Sequence, residues 1–147
     1  MVDAIGTGLG SLGYRFNMIA RQARANFEQR LGEAGASFTT WTILEALTVH
    51  GPVIQRDLAR SLHVSGQTLA RQVDRLVETG WLERGEAEGD RRAVRLHLTG
   101  AGRAAHRRLQ QASRKANEQL VAGLSPEEID GLSELLTRLS RNLGGDR

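Results

Sequence analysis

The sequence predicts a mainly α-helical fold with one small β-wing, an α+β arrangement of six helices. Three observations carry that prediction. Apolar residues recur at spacings of three and four along most of the 147 residues. Strict alternation is confined to one short stretch, from Arg92 to Leu98. Aromatic residues are only 4% of a chain that is 39% hydrophobic, so its core must be built from Leu, Val, Ile and Ala.

The first helix is expected from about Gly8 to Gly32, with Leu9, Leu12, Phe16, Ile19, Ala20, Ala23, Phe27 and Leu31 on one stripe. Glycines at 6, 8, 10 and 13 weaken its beginning. A second helix, about Thr39 to His50, carries Trp41, Ile43, Leu44, Leu47 and Val49, and Gly51-Pro52 stops it. Ser37, Thr39 or Thr40 is its cap. A short helix follows from Gln55 to Leu62, turning Leu58, Ala59 and Leu62 inward and Arg56 and Arg60 outward. His63-Val64-Ser65 is a turn, and the next helix runs from about Gly66 to Thr79. Its buried face is Leu69, Val73, Leu76 and Val77, and its opposite face carries Gln67, Arg71, Asp74, Arg75 and Glu78.

A strand is expected at 81–84, a loop from Gly85 to Asp90, and a return strand from Arg92 to Leu98 that points Val94, Leu96 and Leu98 one way and Arg95 and His97 the other. Thr99 caps a long helix from about Gly100 to Val121 with a weaker stripe of Ala105, Leu109, Ala112, Ala116 and Leu120. Ser125-Pro126-Glu127-Glu128 starts the last helix with a cap, a proline at the first position and a glutamate at the third. Its stripe of Ile129, Leu132, Leu135, Leu136, Leu139 and Leu143 is strong.

The central order is helix, turn, helix, hairpin. Residues 36–99 therefore read as a winged helix-turn-helix that binds DNA, and residues 1–35 with 100–147 as a helical dimerisation region. The outer stripes need a cover. A second copy of the chain is the expected cover, two-fold dimers being the commonest assembly; the alternative is that the three helices cover one another within a monomer.

Charge points the same way. Residues 51–110 hold 11 Arg against 7 acids, whereas 1–50 balance at zero and 111–147 fall to −1. With no cysteine, disulfides, zinc–thiolate sites and thiol redox sensing are excluded. The four histidines show no metal spacing, and no phosphate-cradling glycine loop follows a strand, so neither an enzyme nor a cofactor is expected. The amino terminus has no secretory pattern and no run of about 18 apolar residues occurs, which points to the cytoplasm and away from membranes.

A helix seated in the major groove points its first residues at base edges. Here these are Ser65, Gln67, Thr68 and Arg71, with Gln72 and Arg75 one turn later. Arg71 suits guanine, Gln67 adenine, and Ser65 or Thr68 phosphate; Arg75 and Arg56 are expected on phosphates. The competing reading is a winged-helix module that binds protein and not specific DNA, which the arginine count of helix and wing disfavours.

Trp41, the strings GPVIQRDLARSLHV and SGQTLARQVDRLVETGWLER, and above all GDRRAVRLHLTGAG resemble the MarR family of bacterial transcription regulators over essentially the whole chain. The Trp41 helix and the wing are most similar to the SlyA-like branch; the lack of cysteine departs from the peroxide-sensing branch. The resemblance implies a homodimer on a palindromic operator, with repression as the default outcome. It implies that Arg92 enters a minor groove with Asp90 holding its guanidinium, while Arg91 reaches the backbone. Glu86 and Glu88 either point away from DNA or pair with Arg84, and Asp74 either braces the wing through Arg84 or Arg95 or lies in a solvated pair. The family also implies a pocket for a small aromatic or anionic effector, with Tyr14, Arg15, Phe16, Trp41 and His50 as candidate liners; plain core is the competing role for Phe16 and Trp41, and a solvated face for Arg15.

Overall fold

A computed structural model describes residues 5–144. The outermost residues of the expected dimerisation region, 1–4 and 145–147, lie outside the described residues. The order is α1 (Leu12–Glu33), α2 (Phe38–His50), β1 (Val53–Ile54), α3 (Gln55–Ser61), α4 (Gly66–Glu78), β2 (Leu82–Ala87), β3 (Asp90–Leu98), α5 (Gly100–Leu120) and α6 (Pro126–Asn142). The six helices are those expected. α1 starts four residues later than its apolar stripe suggests, because the Ser11 hydroxyl accepts the Tyr14 amide and fixes the first turn there.

The chain divides into two compact units, Met1–Ala116 and Asn117–Arg147. In the first unit β3 is the central strand of an antiparallel sheet ordered β1-β3-β2. The pair Val53-Ile54, too short to show a period, forms β1 by bonding to Leu96 and Arg95. Above this sheet Leu31, Ile43, Leu44, Leu58, Leu69, Val73, Leu82, Leu96 and Leu109 form the core, each no more than 2% exposed. At about 1.5–3 kcal/mol for each large side chain fully buried, this cluster is the main favourable term in the unit's stability.

Two close junctions join α5 to the end of α4 and the base of the hairpin. Thr99 donates its hydroxyl hydrogen to the Gly80 carbonyl at 2.6 Å and accepts the Gly102 amide at 3.0 Å, so one side chain closes the end of α4 and the start of α5. Gly102 sits against the Trp81 backbone, and a Cβ there would lie 2.1 Å from the Trp81 carbonyl oxygen. One turn on, the buried His106 ring meets the Glu45 carboxylate of α2, Nε2 to Oε2, at 2.5 Å. Glu45→Ala is expected to leave His106 without that partner and to destabilise the fold by about 1–3 kcal/mol. Urea unfolding reads it out, and an unchanged midpoint would show the contact to be energetically idle.

Within the first unit only Leu31 of α1 is buried. Leu12, Phe16 and Ile19 are roughly half exposed, at 50%, 46% and 53%. In the second unit Ser125 and Glu128 complete a capping box, the Ser125 hydroxyl accepting the Glu128 amide at 3.2 Å and the Glu128 carboxylate accepting the Ser125 amide at 2.8 Å. α6 has no buried residue, and Leu132, Leu135, Leu136 and Leu139 form one exposed row. No helix among the described residues is long and apolar enough to cross a membrane.

Candidate nucleic-acid interface

The helix-turn-helix is α3, the turn at 62–65, and α4. The turn closes by a bond from the Val64 amide to the Ala59 carbonyl at 3.1 Å, with His63 in the left-handed region at φ 53°. That is a Schellman-type stop in which glycine is the usual occupant. Ser65 then caps α4: its oxygen accepts the Thr68 amide at 3.1 Å and its hydroxyl donates to Thr68 Oγ1 at 2.8 Å. Both expected phosphate hydroxyls are thus already engaged with each other, and each retains acceptor capacity. Gln67, Arg71 and Arg75 are exposed along the outer face of α4, and Gln72 is half-buried.

The wing departs from expectation. The loop expected from Gly85 to Asp90 is mostly strand: β2 continues to Ala87, and only Glu88 and Gly89 lie between it and β3. Gly89 has φ +82°, the backbone freedom a tight hairpin turn requires, and the register slips at Glu86/Ala87. Gly85 fits inside the ladder opposite Arg95. Val94 is 36% exposed and not buried like Leu96, while Arg95 and His97 are half-buried and not free in solvent.

The wing's charged residues sort differently too. Asp90 accepts the backbone amide of Arg92 at 2.9 Å. It therefore shapes the strand's first turn and does not clamp the Arg92 guanidinium, which is left exposed. Arg84 donates to Asp74 of α4 at 2.5 Å, so the brace between wing and α4 runs through Arg84 and not Arg95. Glu86 and Glu88 are exposed at the tip beside Asp90 and Arg91. Both partners of the Arg84–Asp74 pair are substantially solvated, so its role is orientation more than stability.

A cleft of about 460 Å³ lies between the helix-turn-helix and the wing, and Arg56, Arg60, Gly66 and Arg92 all line it. Arg56 and Arg92, from separate expectations, therefore face one concavity. Arg60 joins them without having been an expected contact, and its spacing of four from Arg56 puts both on one face. Asp57 offsets part of this charge, lying 3.9 Å from Arg56 and 3.4 Å from Arg60. Arg71, Gln72 and Arg75 lie farther along α4 and Arg91 lines the tip.

The expected effector liners are not gathered in one place. Trp41 packs edge-on to Phe27 with centroids 4.9 Å apart, and Phe38 completes the group with Arg24 3.9 Å above its ring. At about 1.5 Å of rise per residue, Tyr14, Arg15 and Phe16 lie roughly 15–20 Å before Phe27 on α1. They are exposed there, as is His50 at the far end of α2. Trp41 is nonetheless unfinished: its Nε1 is buried without a hydrogen-bond partner. Among the described residues no group of three or more His, Cys, Asp or Glu is placed to hold a metal ion.

With that geometry in view, a family model described as MarR family matches residues 34–93. A HTH-type transcriptional regulator of Bacillus subtilis, YwoH, is 27% identical over 122 residues, covering 83% of this chain and 88% of YwoH. A probable transcriptional regulator from Pseudomonas aeruginosa is 31% identical, with a TM-score of 0.75 over 88% of this chain and 96% of that one. A mutant MarR from E. coli, solved in complex with operator DNA, superposes with a TM-score of 0.77 at 25% identity over 87% of this chain and 92% of that one.

Proposed function

Because the chain belongs to the MarR family of transcription regulators, we propose that it binds a palindromic operator as a homodimer and represses the gene behind it. The observation that carries this is the shared cleft of Arg56, Arg60 and Arg92 beside the exposed face of α4. Three cations around one concavity suit a phosphate run, and α4 alongside them suits the major groove. In this reading Ser65, Gln67, Thr68, Arg71 and Gln72 face bases or the nearest phosphates, and Arg75 and Arg91 hold the backbone. Residues 36–99 read DNA, while residues 1–35 and 100–147 pair the copies; the exposed apolar rows of α1 and α6 support pairing. Occupying a promoter as a dimer excludes polymerase, hence repression in the cytoplasm. Release by a small aromatic or anionic effector belongs to the same proposal, and the unpartnered Trp41 Nε1 supports it.

The experiment is an operator titration across salt, with the operator taken from fragments the purified protein selects. For a dimer that neutralises roughly eight phosphates, log K against log salt is expected to slope near about −7. The free protein is expected to sediment as two copies. A flat salt dependence, or a single-copy particle, would overturn the proposal.

A further inference from the structure

We propose that a second cleft, at the base of the wing, binds a small zwitterion with an apolar body, of the amino-acid class. The cleft measures about 550 Å³, inside the roughly 300–1,000 Å³ typical of small-molecule sites. Leu47, Pro52 and Leu98 give it apolar wall, and Glu83, His97 and Arg103 give it polar rim. It shares no lining residue with the cleft that faces DNA, and neither α1 nor Trp41 contributes to it.

The rim is built from three elements of known registration. Glu83 and His97 are direct partners across β2 and β3, so they rise from the same face of the hairpin. The His97 ring rests over Gly85, where a Cβ would lie 3.0 Å from its Nε2; the missing side chain gives the imidazole its place. Arg103 donates one Nη1 hydrogen to the Leu98 carbonyl at 2.9 Å, which anchors the guanidinium at the rim with its other donors unspent on that bond. Among the described residues, neither the Glu83 carboxylate nor the His97 imidazole has a hydrogen-bond or ion-pair partner.

The charges decide the ligand class. A plain carboxylate would satisfy Arg103 but bring an anion towards Glu83, and a plain amine would satisfy Glu83 but bring a cation towards Arg103. A molecule carrying both groups meets each opposite charge at once, with its apolar body on Leu47, Pro52 and Leu98. The cleft lies where the end of α2, the base of the hairpin and the start of α5 meet. Occupancy therefore ties those three elements together and biases the angle of the wing. That regulatory consequence rests on the DNA-binding reading; the binding itself does not.

Isothermal titration of the full-length protein with L-leucine, L-leucinamide and 4-methylpentanoate tests this. L-leucine is expected to bind saturably, and the two analogues, each lacking one charge, at least about tenfold more weakly. Arg103→Gln and Glu83→Gln are each expected to weaken L-leucine at least about tenfold, with the thermal midpoint unmoved in Glu83→Gln and lowered by no more than roughly a few degrees in Arg103→Gln, which also loses its bond to the Leu98 carbonyl. No saturable heat with L-leucine or L-phenylalanine, equal binding of an analogue, or unaltered binding by both variants would overturn the site. Operator titration of the same samples separates the two readings: retained DNA binding without leucine binding sinks only this site, and the reverse sinks only the DNA reading.

Discussion

Gly102→Ala is expected to lower the thermal unfolding midpoint by about 10 °C. The added methyl would stand 2.1 Å from the Trp81 carbonyl oxygen and 2.8 Å from Leu98 Cδ1. Leu98 can turn aside, but the Trp81 carbonyl cannot move freely, because it also accepts the Thr99 amide at 3.1 Å. α5 must therefore lift from β2, opening the core around Ala105 and Leu109, both fully buried. Overpacking against backbone of this kind costs about 3 kcal/mol, the upper end for small-to-large core changes, and a chain of this size loses roughly 2–4 °C per kcal/mol. Gly100→Ala is the control: its nearest neighbour would be the far end of Arg103 at 3.9 Å, and its midpoint should hardly move. Equal midpoints for the two variants would refute the close junction.

Arg92→Ala is expected to weaken operator binding by about thirtyfold or more without moving the midpoint. A dimer loses the contact twice, and about 1 kcal/mol or more for each loss compounds to that factor. The side chain is exposed and Asp90 holds only the Arg92 backbone amide, which alanine retains, so folding has no stake in the guanidinium. If Arg92 enters a narrow A·T minor groove, the loss should be greater on A·T-rich flanks than on G·C-rich ones. A uniform loss would assign it to phosphate, and wild-type affinity would remove the wing tip from the interface.

The helices were legible in the sequence through their apolar stripes, and α2, α4, α5 and α6 also through a capping residue. Ser125 with Glu128 is the clearest case, and the capping box is formed as read. β1 was not legible, since two residues carry no period and Val53-Ile54 become a strand only by pairing with β3. The wing strands are longer than the sequence suggests for a related reason. Gly85 and the acids after it have loop-like propensity, yet the ladder keeps Gly85 because the His97 ring covers it. At the interface, the outer face of α4 followed from helical geometry. The partner of Asp90 did not: a carboxylate two residues from an arginine can reach either its side chain or its amide, and sequence spacing alone leaves both open. Trp41 was ambiguous between core and pocket, and the fold gives it features of both, ring contacts on Phe27 and a buried N–H with no acceptor.

The hairpin's pairing reaches Ala87 opposite Asp90, leaving two residues to turn the chain. In the proposed complex such a prong would meet the duplex already paired along most of its length. Little backbone freedom remains to be surrendered on docking, whereas ordering a loose six-residue loop would forfeit roughly 1–2 kcal/mol per residue. Its reach is set by the count of residues in β2 and β3, so in the proposed DNA complex the distance between the groove facing α4 and the groove facing the tip would be set as well. Tolerance for altered spacing must then come from the bending of the DNA itself.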